Sequence, residues 1–226
     1  MKDWKVISPP IKTRFGWSMD MISPGGGEAL VRFQGQYGGL QHAGAENPAY
    51  FVLFGEILDD RLQSNFPGQG DIYVLREIVA SELSVDGFLR QVADAGATYG
   101  FTEIFGDRDD EASARAFDEY NTRHRQPLSL CQGPFPDNLH LATSLMRDWI
   151  ARGFLRLHET SVLKAQLQEI RKEDFLLPRS KLEARFYAIS AARWALGQRH
   201  LEGRRPRVGG HDSAAGDYAG IHSWML

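Results

Sequence analysis

FTEIFGD, residues Phe101 to Asp107, reads as a short apolar and aromatic strand closed by an acid, with a helical pattern on either side. Before it, Val85, Phe88, Leu89, Val92 and Ala93 are spaced like one face of a helix, which Ser84 caps and Gly100 ends. After it, 109–123 (DDEASARAFDEYNTR) reads as a helix and 128–132 as a strand. Residues 138–152 read as a helix with Leu141, Leu145, Trp149 and Ile150 inward, ended by Gly153. One more strand is predicted over 154–158, a helix over 161–172, and one long final helix over 180–199.

Upstream, YFVLFGEIL (50–58) and DIYVLREIV (71–79) are apolar, aromatic and β-branched, with Asn65-Phe66-Pro67-Gly68 between them, as in neighbouring strands of one sheet. Residues 16–21 read as a strand carrying Asp20 at its end. The glycine density between 23 and 48 predicts a short strand over 29–33 flanked by flexible loops. Adjacent strands followed by strand–helix alternation give an α/β sheet with helices on its faces, its alternating part parallel. We divide the chain into a lead-in segment (1–14), one domain (15–200) and a flexible Gly/Arg-rich tail (201–226).

The 226 residues are 42% hydrophobic and 24% charged, which excludes a disordered or fibrous chain. No apolar run reaches the ~20 residues needed to span a bilayer, and the N-terminus lacks a signal peptide's apolar stretch; a soluble cytoplasmic protein without membrane contact is expected. The single Cys131 leaves no internal disulfide and no multi-cysteine zinc site, and its apolar strand predicts a buried core residue. A net charge of −3 points to no nucleic acid by itself. Base is nonetheless concentrated at Arg199, Arg204, Arg205 and Arg207, a run suited to DNA phosphates, a partner protein or plain solvation.

Asp20 and Asp107 each close a predicted strand, where open α/β sheets place ligands. Were those strands neighbours, two carboxylates would converge, and hard oxygen ligands of that kind suit Mg²⁺ or Mn²⁺. Two such ions ~4 Å apart serve phosphodiester hydrolysis. The plainer alternative is that both acids end strands and open loops.

The run Gly16-Trp17-Ser18-Met19-Asp20-Met21-Ile22-Ser23-Pro24-Gly25-Gly26-Gly27-Glu28-Ala29-Leu30-Val31 resembles the first strand and loop of the nuclease domain in the large terminase subunit of tailed bacteriophages. The resemblance continues through the 72–78 strand with Glu77, Tyr99-Gly100, the strand ending on Asp107, and the helix, Gly153 and Phe154-Leu155-Arg156-Leu157. It closes on Ile189-Ser190-Ala191-Ala192-Arg193-Trp194-Ala195-Leu196, similar to the family's H-x-x-D-A-x-R-Y-A-L helix. It implies an RNase H-like mixed central sheet with helices on both faces, and a metal-dependent endonuclease that cuts double-stranded viral DNA during packaging with two Mg²⁺ or Mn²⁺ ions. Asp20 and Asp107 carry over as metal-bridging catalytic acids, with Glu28 and Glu77 near the site.

Two departures stand out. Ser190 replaces the closing helix's acid and Tyr187 its His. Glu183 lies seven residues before Ser190 on the expected helix, about 10 Å away, and Asp212 lies in the tail; both are the remaining candidate ligands. The family's motor is also missing, since the chain holds no G-x-x-x-x-G-K-[ST] loop. Partners implied are DNA, a terminase ATPase subunit or domain, the small terminase subunit and the portal, in the host cytoplasm. A rival reading is an inactive RNase H-like module that binds DNA, portal or motor. A resolvase- or transposase-type nuclease shares the strand-end acids but neither the Gly153 element nor the 191–196 ending.

Overall fold

A computed structural model describes residues 5–6, 11–13, 16–22, 30–41, 49–57, 72–80, 84–107, 109–125, 128–133 and 139–202. Its centre is an antiparallel meander of β4 (Leu30–Gln41), β5 (Ala49–Ile57) and β6 (Ile72–Ala80). β7 (Glu103–Gly106) joins the far side of β4 in parallel, with Gly39 opposite Phe105, and β8 (Ser129–Gln132) joins β7 in parallel. Across the sheet the order is β6-β5-β4-β7-β8 with β5 alone reversed, which is the RNase H-like arrangement. β9 (Leu155–Arg156) extends it beside β6, while β1 (Lys5–Val6), β2 (Ile11–Thr13) and β3 (Gly16–Ile22) build out from the first half of β4.

Each face of this sheet is covered. α1 (Val85–Tyr99) and α2 (Glu111–His124) bury Phe88, Leu89, Val92, Phe117 and Tyr120 against Phe51, Leu53, Leu75 and Ile104. On the opposite face lie α3 (Leu139–Ala151), α4 (Val162–Glu169), α5 (Arg179–Arg185) and α6 (Tyr187–Glu202), packed on Tyr50, Val52, Phe54 and Ile72. β5 therefore feeds alternate residues into two cores, and Tyr50 to Phe54 are all fully buried. That is why its sequence is a continuous apolar run and not the half-polar alternation of a solvated sheet.

The glycines near residue 39 mark close packing within a strand, contrary to the loops expected there. β4 runs unbroken through Gly35, Gly38 and Gly39. A Cβ on Gly39 would stand 2.0 Å from the Ala191 carbonyl oxygen, so α6 lies directly on the strand's backbone. α6 is buried on every side from Ala188 to Leu196, and its small residues permit that approach.

Helix signals are realised with shifted ends. Ser84 Oγ accepts the Gly87 N–H at 3.1 Å, and Gly100 (φ 77°) and Gly153 (φ 78°) stand in the left-handed conformation where α1 and α3 stop. Within the helices, Val85 and Leu141 face solvent; Ala142 and Met146 take the inward places on α3, with Trp149 and Ile150 partly buried. The predicted 154–158 strand is reduced to the two residues of β9, and Cys131 on β8 is only partly buried. The long final helix is two: Phe186 (φ −112°, ψ 50°) breaks it between α5 and α6.

Candidate functional site

β7 delivers Asp107 to the carboxyl end of the parallel part of the sheet, the edge where such sheets bind ligands. Two residues on from the Gly39–Phe105 pair, Gln41 and Asp107 end the two neighbouring strands. Asp107 Oδ1 accepts the backbone N–H of Asp109 at 3.1 Å, so the acid also opens the turn into α2, whose cap is Asp110. Its other oxygen accepts from Arg179 Nη2 at 3.3 Å.

Arg179, the first residue of α5, holds a second carboxylate: its Nε donates to Glu183 Oε1 at 2.9 Å, one helical turn on. The same Glu183 oxygen accepts from Arg193 Nη2 on α6, also at 2.9 Å. The two arginines differ in setting. Arg193 is fully buried with its guanidinium 4.1 Å from the Trp194 ring centre, whereas the Arg179 side chain is 48% exposed. Arg179 and Glu183 also line a cleft of 430 Å³ with Leu139, His140, Phe175, Leu177 and Leu182. The His140 ring sits edge-on to Phe175, centroids 4.7 Å apart.

The break at Phe186 accounts for Glu183. On one continuous helix it would stand two turns from Ser190; on the separate α5 it shares Arg179 with Asp107 and is clamped to α6 by Arg193. Ser190 itself is fully buried on α6, its Oγ without a hydrogen-bond partner among the described residues.

Asp20 does not meet Asp107. β3 runs antiparallel to β4 with Asp20 opposite Arg32, nine residues before Gln41, so the two acids belong to opposite ends of β4, about 30 Å apart along the strand at ~3.3 Å per residue. The carboxyl end of β3 also points to the opposite edge of the sheet from that of β7. Convergence required adjacent parallel strands, and β4 lies between them.

Glu77 is likewise remote. Three strand steps separate β6 from β7, about 14 Å at ~4.8 Å each. Its Oε1 accepts from the Tyr50 hydroxyl, from Ser161 Oγ at 2.9 Å and from the Leu163 N–H at 3.3 Å, at the positive N-terminal end of α4. Burial, and then the Glu77 charge, push the Tyr50 hydroxyl pKa well up; Tyr187 is raised by the same two causes in the same order. Tyr187 lies against Tyr50, ring centroids 5.6 Å apart. Glu28, Asp212, Arg204, Arg205 and Arg207 lie outside the described residues, and of Arg199 only its place on α6 is described.

The sequence alone singles out neither Arg179 nor Gln41. Arg179 was detectable as an i, i+4 partner of Glu183, but its bond to Asp107 spans 72 residues and leaves no local trace. Gln41 was hidden by the glycines, which mask the second half of β4.

No family model matches the sequence, nor does any curated protein. Among solved structures, the nuclease domain of the large terminase g2p from bacteriophage SPP1, crystallised with bound Mn, is similar at 16% identity and a TM-score of 0.46. The similarity covers 74% of this chain and 88% of that one. Among the described residues no helix is long and apolar enough to cross a membrane, and no group of three or more His, Cys, Asp or Glu gathers as a metal site.

Proposed function

We propose that this chain is a nuclease domain of the terminase type, a divalent-metal-dependent endonuclease acting on double-stranded viral DNA during packaging. One observation carries the reading. Asp107 and Glu183, distant in sequence, converge on a single cationic group at the carboxyl end of β7. Two hard carboxylates already arranged around a positive charge fit one Mg²⁺ or Mn²⁺ ion. The second ion expected from sequence has no comparable set among the described residues, because Asp20 is at the other end of β4 and Gln41 and Ser190 are neutral. Asp107, Glu183 and the Gln41 amide oxygen are the groups that would hold one ion.

Such an ion supplies Lewis acidity toward a phosphodiester oxygen and a more acidic bound water. The chain's own part is positional. The Asp109 N–H fixes the Asp107 carboxylate, Arg193 fixes Glu183 from the buried side, and Arg179 offers a positive charge to a phosphate. The packaging ATPase, the small terminase subunit and the portal are the partners this reading calls for.

A second reading, a module that binds DNA, portal or motor without cutting, is favoured by the neutral Gln41 and Ser190. Plasmid nicking with Mn²⁺ across protein concentrations, with calorimetric titration of the metal, separates the two. Nicking that vanishes in Asp107→Asn supports the endonuclease; metal heat without nicking supports the binding module. Absence of both heat and nicking sinks the metal-site assignment.

A further inference from the structure

Resting on that site assignment, we propose that Arg179 is a latch: its guanidinium holds the place of the divalent cation between Asp107 and Glu183, and a DNA phosphate draws it away so that the metal loads only with substrate. Arg179 satisfies both carboxylates at once, at 3.3 and 2.9 Å, and a cation ligated by both would have to displace it. The two arginines on Glu183 divide the roles. Arg193, fully buried and stacked on Trp194, is a fixed partner that Glu183 keeps when Arg179 leaves. Arg179, half in solvent at the start of a seven-residue helix, is the exchangeable one.

The cleft gives the exchange somewhere to go. Arg179 and Glu183 line its wall, so open volume lies beside the long side chain. A phosphate diester offers the guanidinium the same planar two-point contact that the carboxylates do, and its negative charge arrives with the substrate. Loading is then coupled to binding, and coupling of this kind is reciprocal: DNA tightens the metal and the metal tightens DNA.

The test is Mn²⁺ titration calorimetry on the full chain, with and without a non-cleavable phosphorothioate duplex, for the parent, Arg179→Gln, Arg179→Lys and the double variant Arg179→Gln/Asp107→Asn. Circular dichroism melts confirm that each is folded. Arg179→Gln is expected to bind Mn²⁺ about tenfold tighter than the parent without DNA, a 1.4 kcal/mol change. The Lys variant should fall between, and the double variant should lose the gain. Duplex should tighten Mn²⁺ in the parent and leave Arg179→Gln unchanged. Equal Mn²⁺ affinity in parent and Arg179→Gln, or equal tightening of both by DNA, overturns the latch and leaves the metal site standing. Absence of Mn²⁺ heat in every variant, with and without duplex, overturns both.

Discussion

Asp107 makes two hydrogen bonds of different kinds, one to a backbone N–H that shapes a turn and one to a half-exposed guanidinium. Asparagine keeps an acceptor for the first and loses the charge that answers the second. Asp107→Asn should therefore change stability by less than about 1 kcal/mol, the range of a partly exposed ion pair, while metal-dependent nicking falls to background. A variant that nicks plasmid at the parent's rate would remove Asp107 from the site. Gly39 is the opposite case, a residue whose value is purely spatial. With a Cβ placed 2.0 Å from the Ala191 carbonyl, Gly39→Ala must push α6 off the strand, and we expect a loss of ~3 kcal/mol or more in urea denaturation. A midpoint within error of the parent's would mean that α6 is seated elsewhere.

At the scale of elements, the acid on β6 works as a cap for α4. Glu77 collects the Tyr50 hydroxyl, the Ser161 hydroxyl and a helix N–H, so Glu77→Ala strands three buried donors and should cost about 2–3 kcal/mol. Ser161→Ala, losing the N-cap bond to Lys164, should cost about 1 kcal/mol. The same cluster sets a pH dependence. Because the Tyr50 pKa is raised in the folded state by burial and then by Glu77, its contribution is intact below the unfolded value of ~10 and is lost as pH rises through the folded value. Urea midpoints from pH 8 to 11.5 should fall at the alkaline end in the parent and fall less in Tyr50→Phe; identical curves would contradict the assignment. Which elements exist was legible from periodicity and punctuation, as at Ser84, Gly100 and Gly153. What escaped was whatever tertiary packing decides: glycines read as loops because nothing in the sequence shows a helix lying on them, and the Phe186 break is invisible in a run of good helix formers. The candidate site was half legible for the same reason. Asp107 announces itself by ending a strand; Glu183 becomes its neighbour only through a bend and two arginines.

For the whole molecule, the decisive arrangement is a sheet with a core on each side and β5 shared between them. Residues contributing to both cores are exposed only when everything opens. Backbone amides of 50–54 should accordingly exchange hydrogen at the global unfolding rate, slower than those of α5, whose ion pairs reach solvent. Faster exchange in β5 than in α5 would mean that the cores open separately. The doubly covered strand also carries a hazard. Ala-Tyr-Phe-Val-Leu-Phe, residues 49–54, is six residues of high β-propensity with no charge and no proline, the composition of a self-stacking amyloid segment. It is kept out of reach by α6, the last described helix to be made and, as the chain leaves the ribosome, the last to arrive. A chain stopped before Tyr187 would keep α3, α4 and α5 but lack the helix that lies directly on β4 and β5, so solubility during synthesis rests in part on a helix the nascent protein does not yet possess.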